Sequence, residues 1–249
     1  MLIVLVSFSQ FGLWQLRRHA EVAERNTVLV ERLAEAPVAL DAALAAAAVQ
    51  EAQGADADEA VRFRRVAVAG TFEPDDEVLR RPVSRDGAPG YHVVTPLRLA
   101  GDPDGRRLWV ERGWVPQAFD AVPVPEAPPP PGEVEVVGWL RGTTGPPSGW
   151  VAALAPRDPP SGRLVTVAYL DPERLADQVA GPLVPAVLWL ESLVPDPGAR
   201  WPRPPETPAV DPGPHLAYAI QWFAFALVTI VGYSALLRRA RSSDASSAS

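Results

Sequence analysis

Three histidines, His19, His92 and His215, are the only imidazoles in this 249-residue chain, and there is no cysteine. The histidines are far apart, and none forms an HExxH, HxH or other spaced pair that would hand a zinc ion its ligands from one element. GxSxG, P-loop and GxGxxG motifs are all absent. Without cysteine, disulfides, thiolate catalysis, iron–sulfur clusters and four-cysteine zinc are excluded within this chain. The scarcity of catalytic groups argues against an enzyme, and the chain is read as non-catalytic.

His215 stands apart. It opens a run, His215 to Leu237, without Asp, Glu, Lys, Arg or Pro. On a helix at ~100° per residue, Tyr218, Trp222, Phe225, Ala226, Thr229 and Tyr233 project within about 80° of it. Two readings fit that face. One is an aromatic belt with a water-facing histidine at a membrane interface, which is the commoner arrangement. The other is an imidazole beside a flat aromatic wall, suited to an axial ligand of a porphyrin. Spacing alone leaves both open. Two further segments, Arg80-Arg81-Pro82 and Arg112-Gly113-Trp114, set arginine among apolar strand residues. Their ordinary reading is a solvated strand face. Their rarer reading is binding of carboxylates, propionates included.

The elements that must position these groups follow from the same residues. A helix over 215–237 reaches roughly 34 Å, enough to cross a hydrocarbon core of about 30 Å with some tilt. At the other end, residues 1–16 are uncharged and give roughly 24 Å of helix. No basic segment precedes that run and no small-x-small cleavage site follows it, so a retained first span lacking its first turn is expected, not a signal peptide. Ser7, Gln10, Gln15 and Gln221 lie in the two apolar runs and could hydrogen-bond between them as a packed hairpin. For Gln15, exposure to headgroups is the equal alternative. All 29 prolines lie between Pro37 and Pro214, which fits end helices around a loop-rich or β-rich middle.

Charge sets the orientation. Arg238, Arg239 and Arg241 follow the last span at once, so residues 238–249 are expected in the cytoplasm, with His215 at the outer end of its helix. Arg17 and Arg18 then fall outside. That is tolerable because long loops translocate largely regardless of charge. The net charge of −7 argues against a nucleic-acid partner.

Between the spans, 17–35 continues the first helix, Pro37 interrupts it, and Asp41–Gln53 is a second helix ended by Gly54. Alternation then predicts strands at Arg62–Ala69, Glu77–Arg81, Tyr91–Leu99, Arg107–Val115, Glu133–Arg141, Arg163–Leu170 and Leu183–Leu193, with a short helix at Asp171–Val179. Asp86-Gly87 is a hairpin turn. Pro123–Pro131, with six prolines, reads as a polyproline-like linker. The fold class is thus membrane α+β: two transmembrane helices, 1–16 and 215–237, bracketing an antiparallel, barrel- or sandwich-like extracytoplasmic domain over 17–214.

Several segments together resemble one family. FGLWQLRR at Phe11–Arg18 resembles the first-helix signature of the surfeit-locus family of cytochrome c oxidase assembly factors, bacterial type, with Trp14, Gln15 and Arg17 at its matching positions. Arg65–Phe72, Val78–Leu99, Leu108–Pro116 and Val136–Gly142 resemble its extracytoplasmic blocks in order, and HLAYAIQWFAFA at His215–Ala226 is similar to its last-helix signature. The resemblance implies a multi-pass protein of the bacterial plasma membrane that assists biogenesis of a haem–copper oxidase. The expected partners are oxidase subunit I, other oxidase subunits or haem a synthase, and the lipid bilayer. It further implies haem a as cofactor, with His215 as ligand to the haem iron and Tyr218 and Trp222 beside it. The alternative is a structural factor that binds subunit I without haem.

Overall fold

In a computed structural model, which describes residues 2–143, 145, 147, 149–208 and 210–247, the chain divides into two compact units, Met1–Glu31 with Ala209–Ser249, and Arg32–Pro208.

The first unit is a helical pair. Helix α1 spans Leu2–Ala34 and the last helix, α5, spans His215–Ser247. On α1 the less exposed residues include Leu5, Phe8, Gly12, Gln15, His19, Val22, Asn26 and Leu29, in alternating steps of three and four, with Ser7, Ser9 and Arg18 partly shielded beside them. On α5 they are His215, Ala219, Trp222, Ala226 and Thr229. A 3.5-residue period is that of a helix seam. Phe8 packs on Trp222 and Phe225 with ring centroids 5.7 and 5.8 Å apart, and Phe11 packs on Trp222 at 4.9 Å. Gln15 meets His215, seven residues earlier than Trp222, so the helices run antiparallel. Among the described residues one helix is long and apolar enough to cross a membrane, His215–Leu236. The apolar run of α1 ends at Leu16, where Arg17 and Arg18 begin a polar half.

Gly12 permits the close approach. A Cβ there would stand 2.8 Å from Phe223 Cε1 and Cζ. Gly12→Ile is therefore expected to destabilise the pair by about 1–3 kcal/mol through overpacking. Gly12→Ala should cost less, since it gains about 1 kcal/mol of helix propensity. Thermal unfolding of the detergent-solubilised chain checks the order.

The second unit is a β-barrel. Its strands are β1 (Val38–Ala39), β2 (Arg65–Phe72), β3 (Val78–Arg85), β4 (Ala88–Leu99), β5 (Arg107–Pro116), β6 (Glu133–Arg141), β7 (Thr166–Val167) and β8 (Leu183–Val194). The pairing order β2–β6–β8–β5–β4 closes on itself through β2–β4, where Gly70, Thr71 and Phe72 face Leu99, Arg98 and Leu97. Closure removes the edges a small sheet would expose. The sheet is mixed, which corrects the antiparallel expectation: β1–β2, β3–β7 and β5–β8 pair in parallel. Parallel β5–β8 pairing needs a long crossover, and residues 117–182 supply it.

Alternate residues of β2 and β6, including Val66, Val68, Val134 and Val136, join Leu97, Leu108, Val110, Leu140 and Leu188 in the main core. Helix α2 (Leu40–Ala52) adds Leu40, Ala43 and Ala47, and α3 (Ala57–Val61) adds Ala60 and Val61. Asp56 caps α3, its Oδ1 accepting from Asp58 N–H at 3.0 Å and Glu59 N–H at 3.3 Å. The β3–β4 hairpin turns at Asp86-Gly87, both with positive φ, as a two-residue type I′ turn requires.

Two segments depart from expectation. The predicted strand Arg163–Leu170 pairs only over Thr166–Val167, and the predicted helix Asp171–Val179 is α4, Pro172–Ala176. Leu164, Val167 and Leu170 pack with Val78, Val94 and Trp109 instead, so their spacing of three serves docking, not a strand face. The proline-rich segment around Pro123–Pro131 is no linker. Val124 and Ala127 are buried against Leu79, Val93 and Val115.

Candidate functional site

The site begins with the turn that starts α5. Asp211 Oδ1 accepts from Gly213 N–H at 2.8 Å, and Pro214 O accepts the first helical bond, from Tyr218 N–H at 3.1 Å. His215 is therefore the first residue of the helix, with its side chain on the seam. Its Nδ1 lies 3.0 Å from Gln15 Oε1. An amide oxygen can only accept, so in this arrangement Nδ1 donates the hydrogen to Gln15. Gly213, at φ +67°, puts no side chain against the Nε2 edge of the ring: a Cβ there would lie 3.3 Å from Nε2.

The three predicted site residues are not equivalent. Trp222 lies two turns along the seam and is half-buried, its ring held by Phe8, Phe11 and Phe225. Tyr218, next to the buried Ala219, is 47% exposed and off the seam. On α1, Trp14 and Arg17 are exposed. His19, one turn from Gln15, keeps a buried Nδ1 with no hydrogen-bond partner among the described residues. Gln15 thus acts as the orienting partner of His215, and Gly213 was not foreseen. The Gly213-Pro214 pair before the apolar run was its only signal.

A nitrogen ligand held by a hydrogen bond on its other nitrogen is the usual arrangement of a metal-bound imidazole. These residues fit a haem group: His215 would be the ligand to its iron, Gln15 would hold the imidazole ring, and Gly213 sets no side chain against Nε2. Among the described residues no group of three or more His, Cys, Asp or Glu could hold a metal ion by itself.

The barrel unit has two polar centres of its own. Of the arginines read as solvated or carboxylate-binding, Arg112 and Arg80 lie in these centres on carboxylates of the chain itself, whereas Arg81 lies outside them, its Nε donating to Thr166 Oγ1 at 3.2 Å. Arg112, 3% exposed, donates from Nη2 to Glu77 Oε2 at 2.7 Å and to Ala127 O at 2.8 Å, and from Nε to Thr95 Oγ1 at 2.8 Å. The register shift opposite Val93/Val94 leaves Arg112 as the extra residue of a β-bulge, which re-aims it. In the other centre, Glu111 is 1% exposed; its Oε1 takes Arg80 Nη2 at 2.9 Å and contacts His92 Nδ1, and its Oε2 lies 3.9 Å from Arg141 Nη1. Burial pushes the Glu111 carboxyl up, but His92 and Arg80 outweigh it and hold its pKa at about 2. Arg80, Glu111, Arg141, Gly142, Leu170 and Val187 line a small cavity of about 30 Å³.

The model of the SURF1 family matches residues 2–227. An uncharacterized SURF1-like protein of Mycobacterium tuberculosis is 28% identical over 228 residues, covering 90% of this chain and 76% of its own length. A SURF1-like protein of Monosiga brevicollis is 27% identical over 250 residues, 95% of this chain and 85% of its own. One of Dictyostelium discoideum is 44% identical over 52 residues.

Proposed function

Because the chain belongs to the SURF1 family, we propose that it is a membrane assembly factor for haem–copper cytochrome c oxidase that holds haem a through His215 and assists its insertion into subunit I. The observation that carries this reading is the His215 imidazole, bonded through Nδ1 to Gln15, with no side chain on Gly213 to crowd Nε2.

In this reading α5 crosses the plasma membrane with His215 at its outer end and Arg238 and Arg239 in the cytoplasm. The apolar half of α1 is a second, short span, and the barrel is extracytoplasmic. When bound, the haem supplies an iron centre that takes a neutral imidazole nitrogen. Gln15 holds the ring in the tautomer that leaves Nε2 unprotonated. The seam of Phe8, Phe11 and Trp222 fixes α5 against α1, so the ring does not turn away. No residue is assigned a catalytic role. The partners are subunit I, other oxidase subunits or haem a synthase.

One observation favours a second reading. The Trp222 ring is already enclosed by three phenylalanines, as in a helix pair that binds subunit I structurally and carries no haem.

Co-expression with haem a synthesis, followed by the spectrum and haem content of the purified chain, separates the two. The wild type should carry haem a, His215→Ala should lose it, and Gln15→Leu should weaken retention by roughly 10–100-fold. An unchanged spectrum in His215→Ala removes the ligand assignment. Tight binding of subunit I by a haem-free wild type establishes the structural reading.

A further inference from the structure

On the barrel unit, the short turn Gly149–Ala153 carries Trp150, 81% exposed, and Leu154 follows at 80%. Among the described residues no other large apolar residue of that unit is as exposed. Residues 142–156 contain no charge, whereas charged residues make up 21% of the whole chain. Neither Trp150 nor Leu154 lines the neighbouring cavity of about 410 Å³ formed by Pro147, Ala152, Pro156 and Tyr169. The pair is presented outward, not into a cleft.

We propose that Trp150 and Leu154 dip into the headgroup region of the bilayer that holds α5, giving the barrel a second, peripheral membrane contact. This rests on the membrane-anchored reading above, and adds to it a lipid contact of the barrel itself. Indole is the side chain best suited to that depth, its apolar body facing the acyl chains and its N–H the wet headgroups. An uncharged flank removes the main cost of entering that layer. The tether selects lipid as the occupant. Two connections join the barrel unit to the helical pair: residues 209–214, and helix α1, which runs unbroken from Leu2 to Ala34 across the boundary. Six residues reach at most about 20 Å. A unit of roughly 180 residues has a radius of gyration of about 16 Å. The barrel surface is thereby kept within reach of the interface at high effective concentration, without any partner protein.

The absence of cysteine makes the test direct. The full chain carrying Leu154→Cys, Val228→Cys or Asp104→Cys is spin-labelled and placed in vesicles of phosphatidylcholine and phosphatidylglycerol. Accessibility to dissolved oxygen and to a water-soluble nickel chelate is then read by electron paramagnetic resonance. The proposal expects the label at 154 to lose nickel accessibility relative to that at 104, and to regain it when Trp150→Asp is added. A label at 154 as aqueous as that at 104, while 228 is buried in lipid, overturns the lipid contact and leaves the anchor standing. An aqueous label at 228 overturns the anchor itself. Protection of 154 only when oxidase subunits are added also overturns the proposal, because a protein then covers the turn.

Discussion

Glu77→Leu is expected to destabilise the barrel unit by roughly 3–5 kcal/mol, the usual consequence of removing one partner from a buried ion pair. Glu77 is fully buried and both its oxygens accept hydrogen bonds: Oε2 from Thr95 Oγ1 at 2.6 Å and Arg112 Nη2 at 2.7 Å, Oε1 from Val124 N–H at 2.9 Å. Removing the carboxylate leaves a guanidinium charge in the core and an unpaired backbone N–H in the 117–132 segment. Both are costly away from water. Burial already pulls the Arg112 pKa below its ordinary value, opposed by Glu77. The double variant Glu77→Leu/Arg112→Met should recover part of the loss, because it no longer strands a charge. It should not recover all, since Val124 N–H and Ala127 O still lose their partners. Denaturant unfolding of the detergent-solubilised chain, followed by tryptophan fluorescence, measures each arm. A double variant less stable than Glu77→Leu alone would sink the stranded-charge account.

This centre explains why the strands were easier to read than their connections. β6 alternates over Glu133–Gly138, and that period of two makes the strand visible. β5 is buried on both faces, so Glu111 and Arg112 appear as charges in an apolar run, the pattern of a solvated face. Only contacts far away in sequence, Arg112 with Glu77 and Glu111 with Arg80, reveal that each charge is matched internally. The prolines of 117–132 suggest a free linker because they cannot donate. The bonds that fix the segment come from side chains instead, at Val124 and Ala127. Parallel β5–β8 pairing and closure of β2 on β4 depend on long-range register, which no local period encodes. The helical pair was more legible. A 3.5-residue stripe is a local property, so His215 and Trp222 could be assigned to one face from the sequence. Helical angle alone also admitted Tyr218, which lies beside that stripe and points out. Gln15 was visible as a polar group in an apolar run, but its meeting with His215 depends on how two helices 200 residues apart are aligned.

The second buried charge makes stability depend on pH. Glu111 is held at about pKa 2 in the fold, against an ordinary value of 4.5. A carboxyl lowered by folding stabilises the native state above its unfolded pKa and loses that contribution as pH falls through the folded one. The window is therefore pH 4.5 down to about 2, and the contribution lost across it is about 3 kcal/mol at ~1.4 kcal/mol per pH unit. The groups facing Glu111 are Arg80 and His92 on β3 and β4, and Arg141 at the end of β6, itself stacked 4.6 Å over Trp189 and close to Asp58. The arginines stay charged across the window, and the lowered carboxyl is the group whose shift sets it. Glu111→Gln should lower stability at pH 7, because Arg80 and Arg141 lose their counter-charge in a half-buried site. The gap between wild type and variant should then narrow steadily below pH 4.5, as the wild type protonates to a neutral side chain of the same shape. Unfolding free energies of both proteins at pH 7, 5, 4 and 3 decide it. A gap that stays constant with pH would place the stabilisation in shape and packing, with no part for the Glu111 charge.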